Sequence, residues 1–259
     1  MYTFLSNLLS DKKGGDIFRC FSPWHLIYIA LAVAAASIIL LKLKGKDDAT
    51  KERVMKTLVS ISFGLYILDF FLMPLAYGEI DIEKLPFHAC TAMCVMCFLS
   101  YRIPCLKEYH RSFALLGFIS NFVYLIYPAG VMWHAVHPLS YRVIQTLIFH
   151  AIMSVYGLLV IIYERDKFDI KRIYRELPIL GCMTLWAVFG NYVYNGTYKG
   201  EARFFNWFFV VRDPFYMIPE TIAPFIMPFL NFAVFFVVEA IVYLILNFAS
   251  KGVPVNDKN

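Results

Sequence analysis

Charge is what this chain has least of. Asp, Glu, Lys and Arg make up 17% of its 259 residues, where a soluble domain carries about 25%. No stretch is polar enough for an extramembrane domain, and there is neither a low-complexity segment nor an internal repeat. The missing repeat weighs against a two-halved transporter. The first 23 residues lack the long apolar core and small-residue cleavage site of a signal peptide, and are expected to lie at the interface as a short amphipathic segment. Glycine-rich phosphate cradles and acyl-CoA signatures are missing too, so no soluble cofactor is implied. Six cysteines in a chain this long do not form a secreted disulfide framework. Cys90, Cys94, Cys97 and Cys182 fall inside apolar runs, where a free thiol packs as a small hydrophobe.

What the chain has is apolar length. Hydrophobic residues make up 60%, with 25 Phe and 17 Tyr, and the mean hydropathy is +0.62. About 20 mainly apolar residues span the hydrocarbon core as a helix. On that measure the chain reads as an all-α polytopic membrane protein, a bundle of about seven transmembrane helices near 24–42, 55–77, 85–101, 112–130, 141–163, 174–194 and 221–248. One transmembrane domain, 24–249, thus stands between the interfacial segment 1–23 and a polar tail, 250–259. The net charge of +5 signals no nucleic acid; excess Lys and Arg in such a chain sets topology and meets anionic headgroups. Loop one (KLKGKDDATKERVMK) carries six basic residues and loop five (ERDKFDIKRIYR) five, whereas loop two (GEIDIEK) has a single Lys. Placing the odd loops and the C-terminus in the cytoplasm collects 16 of the 24 basic residues there. The expected orientation is therefore N-terminus outside and C-terminus inside, in a cell membrane.

In that orientation the polar residues of five spans fall at similar depth. Asp69, His88, Cys90, His150, Asn191 and Asn231 lie within about 15 Å of the outer boundary at the helical rise. A charged group facing lipid is costly, so these residues are expected to share an inward-facing cavity. A thiol and an imidazole on neighbouring helices are a nucleophile and a base: the imidazole takes the thiol proton, and the thiolate attacks an acyl ester. A third group, Asp69 or an Asn, would fix the imidazole tautomer. The bland alternative is that His150 only bonds a neighbouring helix and Cys90 only packs.

Other features weigh less. Cys90, Cys94 and Cys97 form one stripe at i, i+4, i+7, but ligands strung along about 10 Å of one helix cannot converge on one ion, so no metal is expected. The pair in HAVH (His134 to His137) has no carboxylate or Cys nearby and reads as interfacial. Loop six, RFFNWFFVVRDPFYMIPE, reads as an aromatic belt and partial lid at the outer interface. Glu239, deep toward the inner side of span seven, belongs to no motif.

Four stretches together carry a resemblance: FSPWHLIYIALAVAA, LPFHACTAMCVM, FHAIMSVYGLLVIIY and GNYVYNG. In this order and spacing, over residues 20–245, the chain resembles the YwaF-type family of bacterial integral membrane proteins. The most specific element is Leu85-Pro86-x-His88-x-Cys90 followed by His150. That family is similar to the eukaryotic transmembrane-protein-164 acyltransferases, which are similar in architecture to the androgen-induced-gene hydrolases that cleave fatty-acid esters. The resemblance implies acyl transfer onto, or hydrolysis of, a lipid ester in a bacterial plasma membrane. A nucleophile near the start of one helix and a histidine on another would carry it, and His150 matches that histidine. The acyltransferase pattern places its cysteine just before the first histidine, where this chain has Phe87; here the nearest thiol follows His88 by two residues.

The expectation is thus a lipid acyltransferase or acyl-ester hydrolase working from the outer side. Cys90 would be the nucleophile and His150 the base, with His88, Asp69 and Asn191 orienting, and Asn231 and Thr91 at the pocket. Membrane lipids would be its substrates or ligands. The alternative is a carrier or lipid-binding protein using the same polar cluster as its binding site.

Overall fold

The computed structural model describes residues 9–11, 15–77, 82–132, 135–198 and 201–251. Much of the expected interfacial segment (1–8 and 12–14), part of loop two (78–81), His134 and most of the tail (252–259) lie outside the described residues.

Helix α1, Pro23–Leu43, begins where Ser22 accepts a bond from the His25 N–H at 3.4 Å and Pro23 takes a position that has no N–H to satisfy. Helix α2 is Asp48–Tyr77, α3 is Ala89–Ser100 and α4 is His110–Ile126. Helix α5, Tyr141–Tyr163, is capped by Ser140; α6 is Glu176–Tyr194 and α7 is Ala223–Lys251. A short antiparallel pair, Gly196–Tyr198 with Glu201–Arg203, follows α6.

Six of these helices are long and apolar enough to cross a membrane, and α3 is not. Its 12 residues reach about 18 Å, short of a hydrocarbon core of about 30 Å. The apolar run 85–101 is therefore helical only from Ala89 to Ser100. Leu85 precedes a proline and is kept out of helical geometry, and His88, at φ −85° and ψ 145°, is the extended residue from which α3 starts. Residues 82–84 instead form a 3-10 turn, and 85–88 a bend and turn that leads into α3.

Helix α5 is the centre of the bundle. Two thirds of its apolar stretch is buried (67%), against 6% for α1 and 11% for α7, which present apolar side chains outward. It packs on α4, α2 and α1. The α4 approach needs Gly157: a Cβ there would sit 2.6 Å from the Cβ of Phe118 and 2.8 Å from the Ala114 carbonyl oxygen. Cys94 and Cys97 of α3 are fully buried in the core that Met153, Tyr156 and Leu159 of α5 build. At the end carrying the basic loops, Arg111 meets Glu164 at 2.8 Å, and Ser100 Oγ lies 2.8 Å from His110 Nδ1.

At the other end, residues 204–222 fold as a polar-capped loop. Asp213 accepts from the N–H groups of Phe215 (2.9 Å), Met217 (2.8 Å) and Ile218 (3.0 Å). Those bonds, that of Phe215 first, hold its carboxyl below the ordinary aspartate range. Phe215, Tyr216 and Met217 stand exposed at the tip.

Candidate functional site

A small cavity of about 40 Å³ lies where α2, α3 and α5 meet the segment 82–88. It is lined by Tyr66 and Asp69 of α2, Lys84, Thr91 of α3, and Gln145, Thr146, Phe149 and His150 of α5. A larger concavity, about 580 Å³ along Ala49–Ile61 of α2, is an open surface groove with no convergent chemistry.

One wall is an ion pair. Asp69, 1% exposed, accepts from the Tyr141 hydroxyl at 2.7 Å, and its second oxygen lies 3.1 Å from the Lys84 ammonium. The lysine is off the direction of a hydrogen bond, so that oxygen keeps lone-pair capacity. Tyr66 donates to the Lys84 carbonyl at 3.0 Å and holds the segment against α2.

The opposite wall is His150, 5% exposed. Its ring stacks on Tyr124 at 3.8 Å with 12° between planes. Nδ1 lies 2.7 Å from the Thr146 carbonyl. A carbonyl only accepts, so Nδ1 carries the hydrogen and Nε2 is the basic nitrogen of the neutral ring. Nε2 is buried and has no partner among the described residues.

The N-terminus of α3 completes the site. His88 starts the helix without capping it, because its Nδ1 accepts from the Phe208 N–H at 3.2 Å. The first-turn N–H groups of α3 thus have no side-chain cap. Cys90 is the second residue of that helix and is half-buried. Thr91 donates its hydroxyl to the His88 carbonyl at 3.1 Å. Lys84 is close enough to act electrostatically on both Cys90 and His150.

The structure divides the expected site residues between two places. Asp69, Thr91 and His150 line the cavity, and Cys90, half-buried, sits beside it at the helix terminus without lining it. His88, Asn191 and Asn231 instead hold the backbone of the following loop. Asn191 donates to the Trp207 carbonyl at 3.0 Å and accepts from the Trp207 N–H at 3.1 Å, and Asn231 donates to the Phe208 carbonyl. Phe87 belongs to this second place. It packs on Trp186 and Trp207, with its ring so close over Gly190 that no Cβ would fit there. Tyr66, Lys84, Gln145, Thr146 and Phe149 complete the lining, with Tyr141 on Asp69 and Tyr124 on His150 behind it, and none of these was singled out by sequence reasoning. Their only local signal is that Lys84 is the lone basic residue of its loop. Among the described residues no group of three or more His, Cys, Asp or Glu is arranged for a metal ion.

A helical chain with six apolar helices of membrane-crossing length is a polytopic membrane protein. Within that class it belongs to the TMEM164 family, whose model matches residues 20–248. No curated protein and no solved structure matches the chain. The likeness to the YwaF-type proteins and to the androgen-induced-gene hydrolases rests on the quoted motifs alone.

Proposed function

We propose that this protein transfers or hydrolyses acyl groups of lipid esters in the membrane, with His150 as general base. The observation that carries the reading is the buried, unpartnered Nε2 of a histidine that lines the cavity, its tautomer fixed by the Thr146 carbonyl. Cys90 is the nucleophile of this reading. As sulfur bonds to the acyl carbon, the thiol proton passes to Nε2. The carbonyl oxygen, now negative, is received by the uncapped N–H groups of α3 and the positive pole of that helix. Collapse breaks the ester C–O bond, and the proton on Nε2 goes to the departing oxygen, leaving a thioester and a lysolipid. A second lipid hydroxyl, or water, resolves the thioester by the same steps in reverse.

Thr91 is the second nucleophile to weigh, because it lines the cavity and Cys90 does not. Its hydroxyl would have to leave the His88 carbonyl to deliver a proton to His150. A carrier reading fits the volume poorly: ligand pockets run about 300–1,000 Å³, and this one holds little more than a water molecule's share of about 30 Å³. That suits an ester carbonyl or a hydrolytic water, with the acyl chains outside among the lipid-facing helices. The charge distribution of the loops supports a site open to the outer leaflet of a cell membrane.

The test is mass spectrometry of the purified protein after incubation with mixed phospholipids, reading peptide adducts and lipid products together. Wild type should yield lyso- or transacylated lipid and an acyl adduct on Cys90; Cys90→Ala and His150→Ala should yield neither. Turnover surviving in Cys90→Ala but lost in Thr91→Ala would move the nucleophile to the hydroxyl. Full turnover in His150→Ala would sink the reading.

A further inference from the structure

Away from the cavity, toward the end with the basic loops, two glutamates are buried with 0% exposure. Glu176 is the first residue of α6, and its Oε1 accepts from Ser112 of α4 at 2.6 Å and from the Tyr243 hydroxyl of α7 at 2.7 Å. Its Oε2 has no partner among the described residues. Glu239 lies four residues before Tyr243, on the same face of α7 and one turn from the hydroxyl that bonds Glu176. Neither of its carboxyl oxygens has a partner among the described residues. The proposed acyl chemistry uses none of these groups.

We propose that Glu239, facing Glu176, is a proton-binding site whose occupancy holds α7 against α6 and α4. Glu176 is provided for as an anion, with two hydroxyl donors and the positive pole of its own helix. Glu239 has nothing equivalent, since both hydroxyl hydrogens in reach are spent on Glu176 Oε1. Among the described residues no ion pair reaches either carboxylate. On the segments packed against α7, Arg165, Asp166, Lys167, Lys171 and Arg172 are exposed and Arg175 is half-buried. Arg111 of α4 is taken by Glu164. The surrounding wall is apolar: Leu115, Ile119, Ile161 and Phe168. An ionised carboxylate there would be desolvated beside a like charge, and a proton removes both penalties at once. A hard metal cation is the poorer occupant, since it asks for about six or more oxygen ligands and only three carboxyl oxygens of the pair are without a partner among the described residues. Loss of the proton sets two carboxylates against each other across the α6–α7 seam and loosens it, so the site couples proton release to helix separation.

The experiment is infrared spectroscopy of the purified full chain in lipid nanodiscs, combined with thermal unfolding across pH. At neutral pH the wild type should show the carbonyl stretch of one protonated carboxyl, shifting on exchange into heavy water. That signal should fall to background in Glu239→Gln and persist in Glu176→Gln. The wild-type midpoint should drop as pH rises into the alkaline range, whereas Glu239→Gln and Glu239→Met should not follow that drop. The methionine variant supplies the readout if the glutamine variant does not fold. No protonated-carboxyl signal in wild type, or one unchanged in Glu239→Gln, would overturn the proposal. So would a signal erased by sodium at constant ionic strength, which would make the site a cation site. None of these readouts depends on lipid turnover.

Discussion

His150 spends one ring nitrogen on a carbonyl of its own helix and keeps the other for the cavity, while Asp69 spends its carboxylate on Tyr141 and Lys84 across from it. The two residues invite different tests. Asp69→Ala leaves an ammonium and a phenol without their partner, and should lower stability by about 3 kcal/mol, the low end for a broken buried pair, because the Lys84 side chain keeps 18% exposure. Asp69→Leu with Lys84→Met should recover most of that loss in thermal unfolding. Asp213 gives a pH test. Its carboxyl sits below the ordinary range in the folded chain, so its contribution is complete above an ordinary aspartate value of about 3.9 and is lost as pH falls through the lowered one. Hydrogen exchange at Phe215, Met217 and Ile218, corrected for intrinsic rate, should show protection falling in that acid window, and Asp213→Asn should lack it at every pH. Counting residues from a span's end was enough to put Asp69 and His150 at one depth. Facing was not legible: Tyr141 is 72 residues from Asp69 in sequence, and nothing local marks this one of 17 tyrosines as a partner.

At the scale of elements, the third crossing departs most from its sequence pattern. Hydropathy over 85–101 is even enough to suggest one helix, yet residues 85–88 turn two side chains to different tasks, Phe87 toward α6 and His88 toward the Phe208 backbone. Period and composition report how apolar a segment is; they do not report where a helix starts when the side chain of its starting residue is held by a backbone N–H from 120 residues away. Because the Phe87 ring lies over Gly190, Gly190→Ala should destabilise by about 1–3 kcal/mol through overpacking. Phe87→Leu in the same chain should relieve part of it, and thermal midpoints of the two singles and the double measure the coupling. The same packing gives the departure from the acyltransferase pattern a physical sense: position 87 faces α6 and the aromatic loop rather than the cavity.

At the scale of the whole molecule, α1 and α7 turn most of their apolar stretch outward and α5 packs against α1, α2 and α4. The proposed orientation makes two thiols reporters. Cys20 precedes α1 and Cys105 lies between α3 and α4. A membrane-impermeant maleimide should label Cys20 in intact cells and Cys105 only after permeabilisation; the reverse pattern would invert the topology. The long helices were legible because membrane crossing demands them, and the loop of residues 205–211 was not, because side chains from three helices shape it. Phe208 and Phe209 both adopt left-handed backbone, at φ 54° and 51°, which costs each about 1–3 kcal/mol. His88, Asn191 and Asn231 hold them there. That arrangement has a consequence in time. A chain made at about 5–20 residues per second offers α3 and α6 to the membrane before Asn231 exists. The amide that closes the loop arrives on the seventh helix, after all the others. The loop that bonds His88 at the start of α3, beside the acyl site proposed there, is therefore closed only once α7 is being made.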